Sequence, residues 1–231
     1  MRTFDLPATR LPLALADAHR SLAVGEHVEF RVPPRVGADR FRDVVDGAGF
    51  TVERVAADGR YLRAGAIRAR TLPDYVAPGM RVLFVGLNPS EYAADAGVGF
   101  ARPGNRFWPA LLEAAIVTRD RDPRHALVHH RVGMTDLVKR ATPRADALSR
   151  DEYREGAERV RRLVSWLAPG AVGIVGLTGW RHAIDRRATV GWQEEPFGGR
   201  PVYVMPNTSG LNARVPLAAF ARHVASASAP R

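Results

Sequence analysis

The chain has 231 residues, 46% of them hydrophobic and 25% charged, with a formal net charge of +10 and a pI of about 11.1. These proportions exclude a disordered chain and suit one large domain, or one domain with an appendage. The lack of cysteine excludes disulfides, a thiol nucleophile and a four-cysteine iron–sulfur cluster, and no apolar run approaches the roughly 18 residues of a spanning helix.

In chain order, His27–Val32 and Phe50–Val55 alternate apolar and polar residues as strands do. Between them, Ala38–Ala48 reads as a short helix with Phe41, Val44 and Val45 on one face, and Tyr61–Arg70 reads as a further strand. Residues 1–70 are therefore expected to form a small α/β extension. It has no glycine-rich phosphate loop and no acidic cofactor residue after one. This piece is similar to the C-terminal end of a class I methyltransferase domain. The half that would bind S-adenosylmethionine is missing, so no methyl transfer is expected.

Thr71–Gly79 reads as a linker by its two prolines. Residues 80–224 then alternate strands and helices. Residues 81–86 form a strand, Asn105–Ile116 a helix, and Asp151–Leu167 the clearest helix, burying Tyr153, Ala157, Val160, Val164 and Leu167. Ala171–Leu177 is a near-continuous apolar strand, as in a buried parallel sheet. Trp180–Arg186 starts a helix, residues 201–205 a strand, and Val215–Val224 the last helix. Residues 225–231 are expected to fray. The fold class is α/β: three layers, α/β/α, with a mostly parallel central sheet.

The basic charge points to an acidic partner, most often nucleic acid. Lys139 is the only lysine, so a Schiff base would have to use Lys139 or the N-terminal amine. Otherwise Lys139 reads as a surface charge. The N-terminus lacks a signal-peptide core, which suggests a cytoplasmic protein. The seven histidines show no metal spacing, and His129-His130 reads as surface. No metal, no cofactor and no membrane partner are expected.

Two loops carry the chemistry. Gly86-Leu87-Asn88-Pro89-Ser90 and Asn207-Thr208-Ser209-Gly210-Leu211-Asn212 each follow a short apolar strand, about 120 residues apart. Strands that end in such turns place polar groups at the carboxyl edge of a sheet, where open α/β folds build their sites. Both loops are expected to face one cleft. The Asn88 carboxamide can accept and donate at once, and Pro89 restricts Asn88 to extended or turn backbone. Taken alone, the stretch reads first as an Asn-Pro turn without function.

It does not stand alone. Phe100-Ala101-Arg102-Pro103-Gly104-Asn105-Arg106-Phe107-Trp108 follows, then Met134-Thr135-Asp136-Leu137-Val138-Lys139-Arg140-Ala141-Thr142-Pro143, the helix from Asp151 to Trp166, and Met205 to Asn212. In this order, from about residue 72 to 224, they resemble the mismatch-specific uracil-DNA and thymine-DNA glycosylase family. The resemblance implies an enzyme that flips a base out of duplex DNA and hydrolyses its N-glycosidic bond. It gives Asn88 the reacting water and Phe100 the stacking platform for the base. Leu87, Ser90 and Thr142 complete the base pocket, and Phe107 and Trp108 are core. Asn207, Ser209, Gly210, Leu211, Asn212 and Arg214 form the DNA wedge, with Leu211 entering the stack. The partner is double-stranded DNA with a mismatched or damaged base, and a monomer suffices.

The chain departs from that pattern in several places. The Asn88 loop lacks the aspartate, and the wedge loop the histidine, of faster uracil-DNA glycosylases, which implies chemistry that relies on a good leaving group. Asp136 stands where the thymine-processing branch has asparagine, Ser90 where the bacterial branch has glycine, and Thr208 where it has proline. Arg214 follows Leu211 by three residues rather than two. Two other readings stay open: a non-catalytic lesion-binding module and, from residues 1–70, a methyltransferase-related enzyme.

Overall fold

A computed structural model describes residues 1–143, 147–210 and 215–229. The first unit is a four-stranded sheet of β1 (Arg2–Asp5), β2 (His27–Val32), β3 (Phe50–Ala57) and β4 (Leu62–Arg68), in the order β1-β2-β4-β3. β1 runs parallel to β2, and β4 returns antiparallel between β2 and β3. The alternation seen in the sequence is what makes it one-sided. Val28, Phe30 and Val32 of β2 pair with Ala66, Ala64 and Leu62 of β4, and all six are buried. They pack against α1 (Leu11–Ser21) and α2 (Ala38–Gly47), with Phe41, Val44 and Val45 turned inward as expected. Each fully buried side chain of this kind contributes roughly 1.5–3 kcal/mol. β1 and α1 add to what the sequence indicated.

The second unit is a five-stranded sheet of β5 (Val82–Gly86), β6 (Val132–Asp136), β7 (Ala171–Val175), β8 (Gly191–Trp192) and β9 (Val202–Met205), ordered β6-β5-β7-β9-β8. All pairings are parallel except β8 with β9. Adjacent residues of its strands bury into opposite layers. Leu83 and Val85 meet α6 (Arg150–Leu167) and α7 (Leu177–Ala183), whereas Val82 and Phe84 meet α4 (Phe107–Glu113), α5 (Pro123–His130) and α8 (Leu217–Ser228). This is the expected three-layer α/β/α arrangement. Order and direction together put the carboxyl ends of β5, β6, β7 and β9 along one edge.

Three expectations change. Thr71–Gly79 is no solvated linker: Thr71, Leu72, Asp74, Tyr75 and Val76 are buried, and Tyr75 exchanges both backbone hydrogen bonds with Met134 at 2.9 Å. The prolines stop regular structure, but the apolar residues between them fill the seam between the two cores. The apolar run 171–177 is strand only to Val175; Gly176 turns the chain at φ 126° and Leu177 already opens α7. The C-terminal segment stays helical to Ser228 because Ala227 is fully buried in the layer of Phe220 and Val224.

Candidate active site

The loop after β5 is tightly turned. Ser90 caps α3 (Glu91–Ala96) by accepting from Ala93 N at 3.2 Å. Backbone N–H groups of Leu137 and Val138 donate to Gly86 O and Leu87 O at 2.9 and 3.0 Å, so the segment after β6 runs alongside this loop. Thr142 extends the pairing: it bridges to Ser90, and its N–H donates to Pro89 O at 3.1 Å.

Asn88 is held from three sides. Its Nδ2 donates to Arg140 O at 3.0 Å, Pro89 O at 3.1 Å and Thr142 Oγ1 at 2.7 Å. Two of these acceptors are carbonyls, which cannot donate, so the nitrogen and not the oxygen must face them. Among the described residues no donor meets Asn88 Oδ1, which is left to accept from a water. Arg140 is itself anchored, donating to both Glu152 oxygens at 2.6 and 3.0 Å on the first turn of α6.

Around Asn88 lies a cavity of about 170 Å³ lined by Leu87, Ser90, Phe100, Asp136, Thr142 and Asn207, among others. Ser209 lines it too, so both loops reach one cleft, as expected. The second loop is braced by the segment that carries Phe100: Arg106 N donates to Thr208 O at 2.9 Å. A side chain on Gly210 would come within 3.3 Å of Gly104 O, so the close approach suits glycine. Asn207 Oδ1 accepts from Ser209 N at 2.9 Å and shapes the turn. Larger cavities exist where the first unit meets α6 and the segment after β6, but the one bounded by both loops concentrates the polar groups in question.

Phe100 is half-buried, adopts the left-handed backbone at φ 58°, and stacks on Phe107 with centroids 4.0 Å apart. A bulky residue rarely accepts that backbone without compensation. Here the fully buried Phe107 supports the ring from behind. Ser90 and Thr142, expected to line the base, border the cavity with hydroxyls already engaged by Ala93 N and Asn88 Nδ2. Leu211, Asn212 and Arg214 lie outside the described residues.

Asp136 ends β6 directly opposite Gly86, and its carboxyl group faces the cavity. It is 9% exposed, and burial pushes its pKa up to about 6; nearby Asp74 adds to the rise, against Lys139 and Arg159. Among the described residues no donor meets its carboxylate. Sequence comparison marked Asp136 only as a departure. Its register with Gly86 at the strand ends is what makes it part of the site.

Lys139 corrects an expectation. Its side chain is 12% exposed, not a surface charge, and its Nζ donates to Asp74 Oδ1 at 2.8 Å. Asp74 is a buried carboxylate. Burial opposes its charge, but Lys139 and Arg159, with hydrogen bonds from Lys139 and Thr135, outweigh that and hold its pKa below the ordinary value. The apolar stripe of α6 gave no sign that Arg159 is buried.

The family model of the uracil DNA glycosylase superfamily matches residues 73–225. The chain belongs to the uracil DNA glycosylase superfamily. Members of this superfamily are DNA glycosylases, hydrolases that act on damaged bases in base excision repair. The matched region takes in the second sheet, Asn88, Phe100 and both loops, and leaves out the four-stranded unit. For a uracil DNA glycosylase superfamily protein, DNA is the acidic partner that the +10 charge calls for. Among the described residues no cluster of His, Asp or Glu is placed to hold a metal, and no helix is long and apolar enough to cross a membrane.

Proposed function

We propose that this protein is a monofunctional DNA glycosylase that excises uracil mispaired with guanine and leaves an abasic site. One observation carries the reading: the Asn88 amide nitrogen is tied down by three acceptors, which leaves Oδ1 in the cavity it shares with Phe100. With the base stacked on Phe100, Oδ1 accepts from a water lying against the sugar C1′. The water oxygen bonds to C1′ as the C1′–N1 bond breaks. The bonding pair leaves on uracil as its anion, which then takes up a proton, while the attacking water loses one to solvent. Catalysis here is positioning of the water and placement of the base.

Three further features support the finer parts. No carboxylate sits in the Asn88 loop to take the water's proton, so a good leaving group matters more. A mismatched base is less costly to flip than a paired one, which favours G·U over A·U. Lys139, the one lysine, is bound to Asp74 and does not line the Asn88 cavity, which argues against a Schiff-base lyase step. Residues 1–70 we read as a methyltransferase-sheet remnant without methyl transfer. The turn after β1, Leu6-Pro7-Ala8, has no glycine to cradle a phosphate.

The test is single-turnover excision from duplexes carrying G·U, A·U or G·T and from single-stranded uracil, followed by alkaline cleavage. G·U should be cut fastest, and Asn88→Ala should slow it on the order of 10²–10³-fold. Equal rates for Asn88→Ala and the parent would reject the water-positioning role. No excision from any substrate, with abasic DNA still bound, would favour a lesion-binding module.

A further inference from the structure

Two of the three acceptors that fix Asn88 belong to the segment from Thr135 to Thr142, and one buried carboxylate grips that segment at several points. Asp74 Oδ1 accepts from Thr135 Oγ1 at 2.6 Å and from Lys139 Nζ at 2.8 Å. Its Oδ2 accepts from Arg159 Nη1 at 2.8 Å, and Arg159 Nη2 donates onward to Asp136 O at 2.8 Å. The neighbouring Thr71 Oγ1 donates to Lys139 O. Arg140 and Thr142, which supply two of the three acceptors for Asn88, follow within three residues of Lys139. Asp74 itself is seated by the four-stranded unit: its N–H donates to Gly47 O at 2.9 Å, at the end of α2. A methyl on Gly47 would lie 2.4 Å from Asp74 Oδ2 and 2.8 Å from Arg159 Nη1.

We propose that Asp74 is a positioning residue for Asn88, and that the four-stranded unit acts on the reaction by seating Asp74. The inference rests on the water-holding role of Asn88. Through Lys139, Thr135 and Arg159 the carboxylate fixes the path of the chain that presents Arg140 O and Thr142 Oγ1. When that path relaxes, the Asn88 amide turns and Oδ1 no longer faces the water. Errors of about 1 Å in such placement cost on the order of 100-fold in rate. The unit outside the family match therefore has a part in catalysis through Asp74.

The experiment compares Asp74→Asn and Gly47→Ala with the full-length parent. Asp74→Asn removes the charge that Lys139 and Arg159 share. Gly47→Ala presses a methyl on the network from the other unit, at a packing cost that its better local helix preference partly offsets. Asp43→Asn is the control: it breaks the ion pair of Asp43 with Arg162 between α2 and α6, at 2.6 and 2.8 Å, without touching the segment. Two quantities are read: the saturated single-turnover rate on G·U DNA per folded molecule, and hydrogen exchange of the Asn88 side-chain amide by NMR. Asp74→Asn and Gly47→Ala should slow the step about 10- to 100-fold at unchanged DNA affinity, with no further loss in an Asn88→Ala background. Both should speed exchange at Asn88, and Asp43→Asn should do neither. Unchanged exchange and rate in Asp74→Asn, or losses that add fully to Asn88→Ala, would overturn the proposal. The exchange reading needs no activity, so it decides the seating of Asn88 even if G·U is not the substrate.

Discussion

Replacing Asp136 by asparagine should stabilise the protein at alkaline pH and leave it unchanged in acid. Burial raises the Asp136 pKa from 3.8 to about 6. A folded pKa above the unfolded value means that the fold holds the proton more tightly. The resulting stability is complete below pH 3.8 and is lost as pH rises through about 6. The difference of about 2 units, at 1.36 kcal/mol each, comes to roughly 3 kcal/mol. Asparagine has the same shape and never ionises, so the variant escapes this loss. It should gain about 3 kcal/mol at pH 8 and almost nothing at pH 4. For a chain of this length that raises Tm by about 6–12 °C at pH 8. Urea unfolding of both proteins at the two pH values measures it, since every other titrating group is common to the pair and cancels. An equal stability difference at both pH values would refute the reasoning. So would a variant less stable at pH 8: the carboxylate would then be ionised in the fold and compensated by a partner.

The same group should shape the rate. A departing base anion next to ionised Asp136 is disfavoured, so single-turnover excision should fall as pH rises through about 6. Asp136→Asn should flatten that profile, and a profile identical in the two proteins would dismiss the effect. Phe100→Ala should weaken binding of DNA with a flipped, uncleavable base by about 1–3 kcal/mol and leave undamaged duplex binding alone. Equal losses on both DNAs would remove Phe100 from base stacking. His19 is buried, and desolvation first, then Arg68 and Lys139, lowers its pKa from 6.5 to about 3. Its neutral form is the folded one, so this contribution is full above pH 6.5 and declines as pH falls toward 3. Denaturation curves between pH 7 and 4 should show a loss that His19→Gln lessens; the same slope in both proteins would exclude it.

Local patterns were readable where a segment's environment repeats along the chain. The one-sided strands of the first unit and the buried stripe of α6 follow from alternation at periods of 2 and 3.6. The failures share a cause. Thr71–Gly79 has the prolines of a linker, yet Leu72, Tyr75 and Val76 are buried because two cores meet there. Lys139 looks like any exposed lysine until Asp74, far back in the sequence, arrives beside it. Arg159 sits on a helix whose other charges are mostly solvated, and its burial is matched by Asp74 and Asp136 O, both distant in sequence.

The sequence by itself determined the alternating α/β order, the two loops and the residues Asn88 and Phe100, because motif order and strand-end turns are properties of the chain read locally. Tertiary structure decided what those residues can do. It turned the Asn88 amide by surrounding it with Pro89 O, Arg140 O and Thr142 Oγ1, and it set Asp136 opposite Gly86 in a cavity that raises its pKa. It also tied the four-stranded unit to the site through Asp74. The physical reason is that burial and charge pairing depend on which distant residues become neighbours, and no local pattern along the chain encodes that.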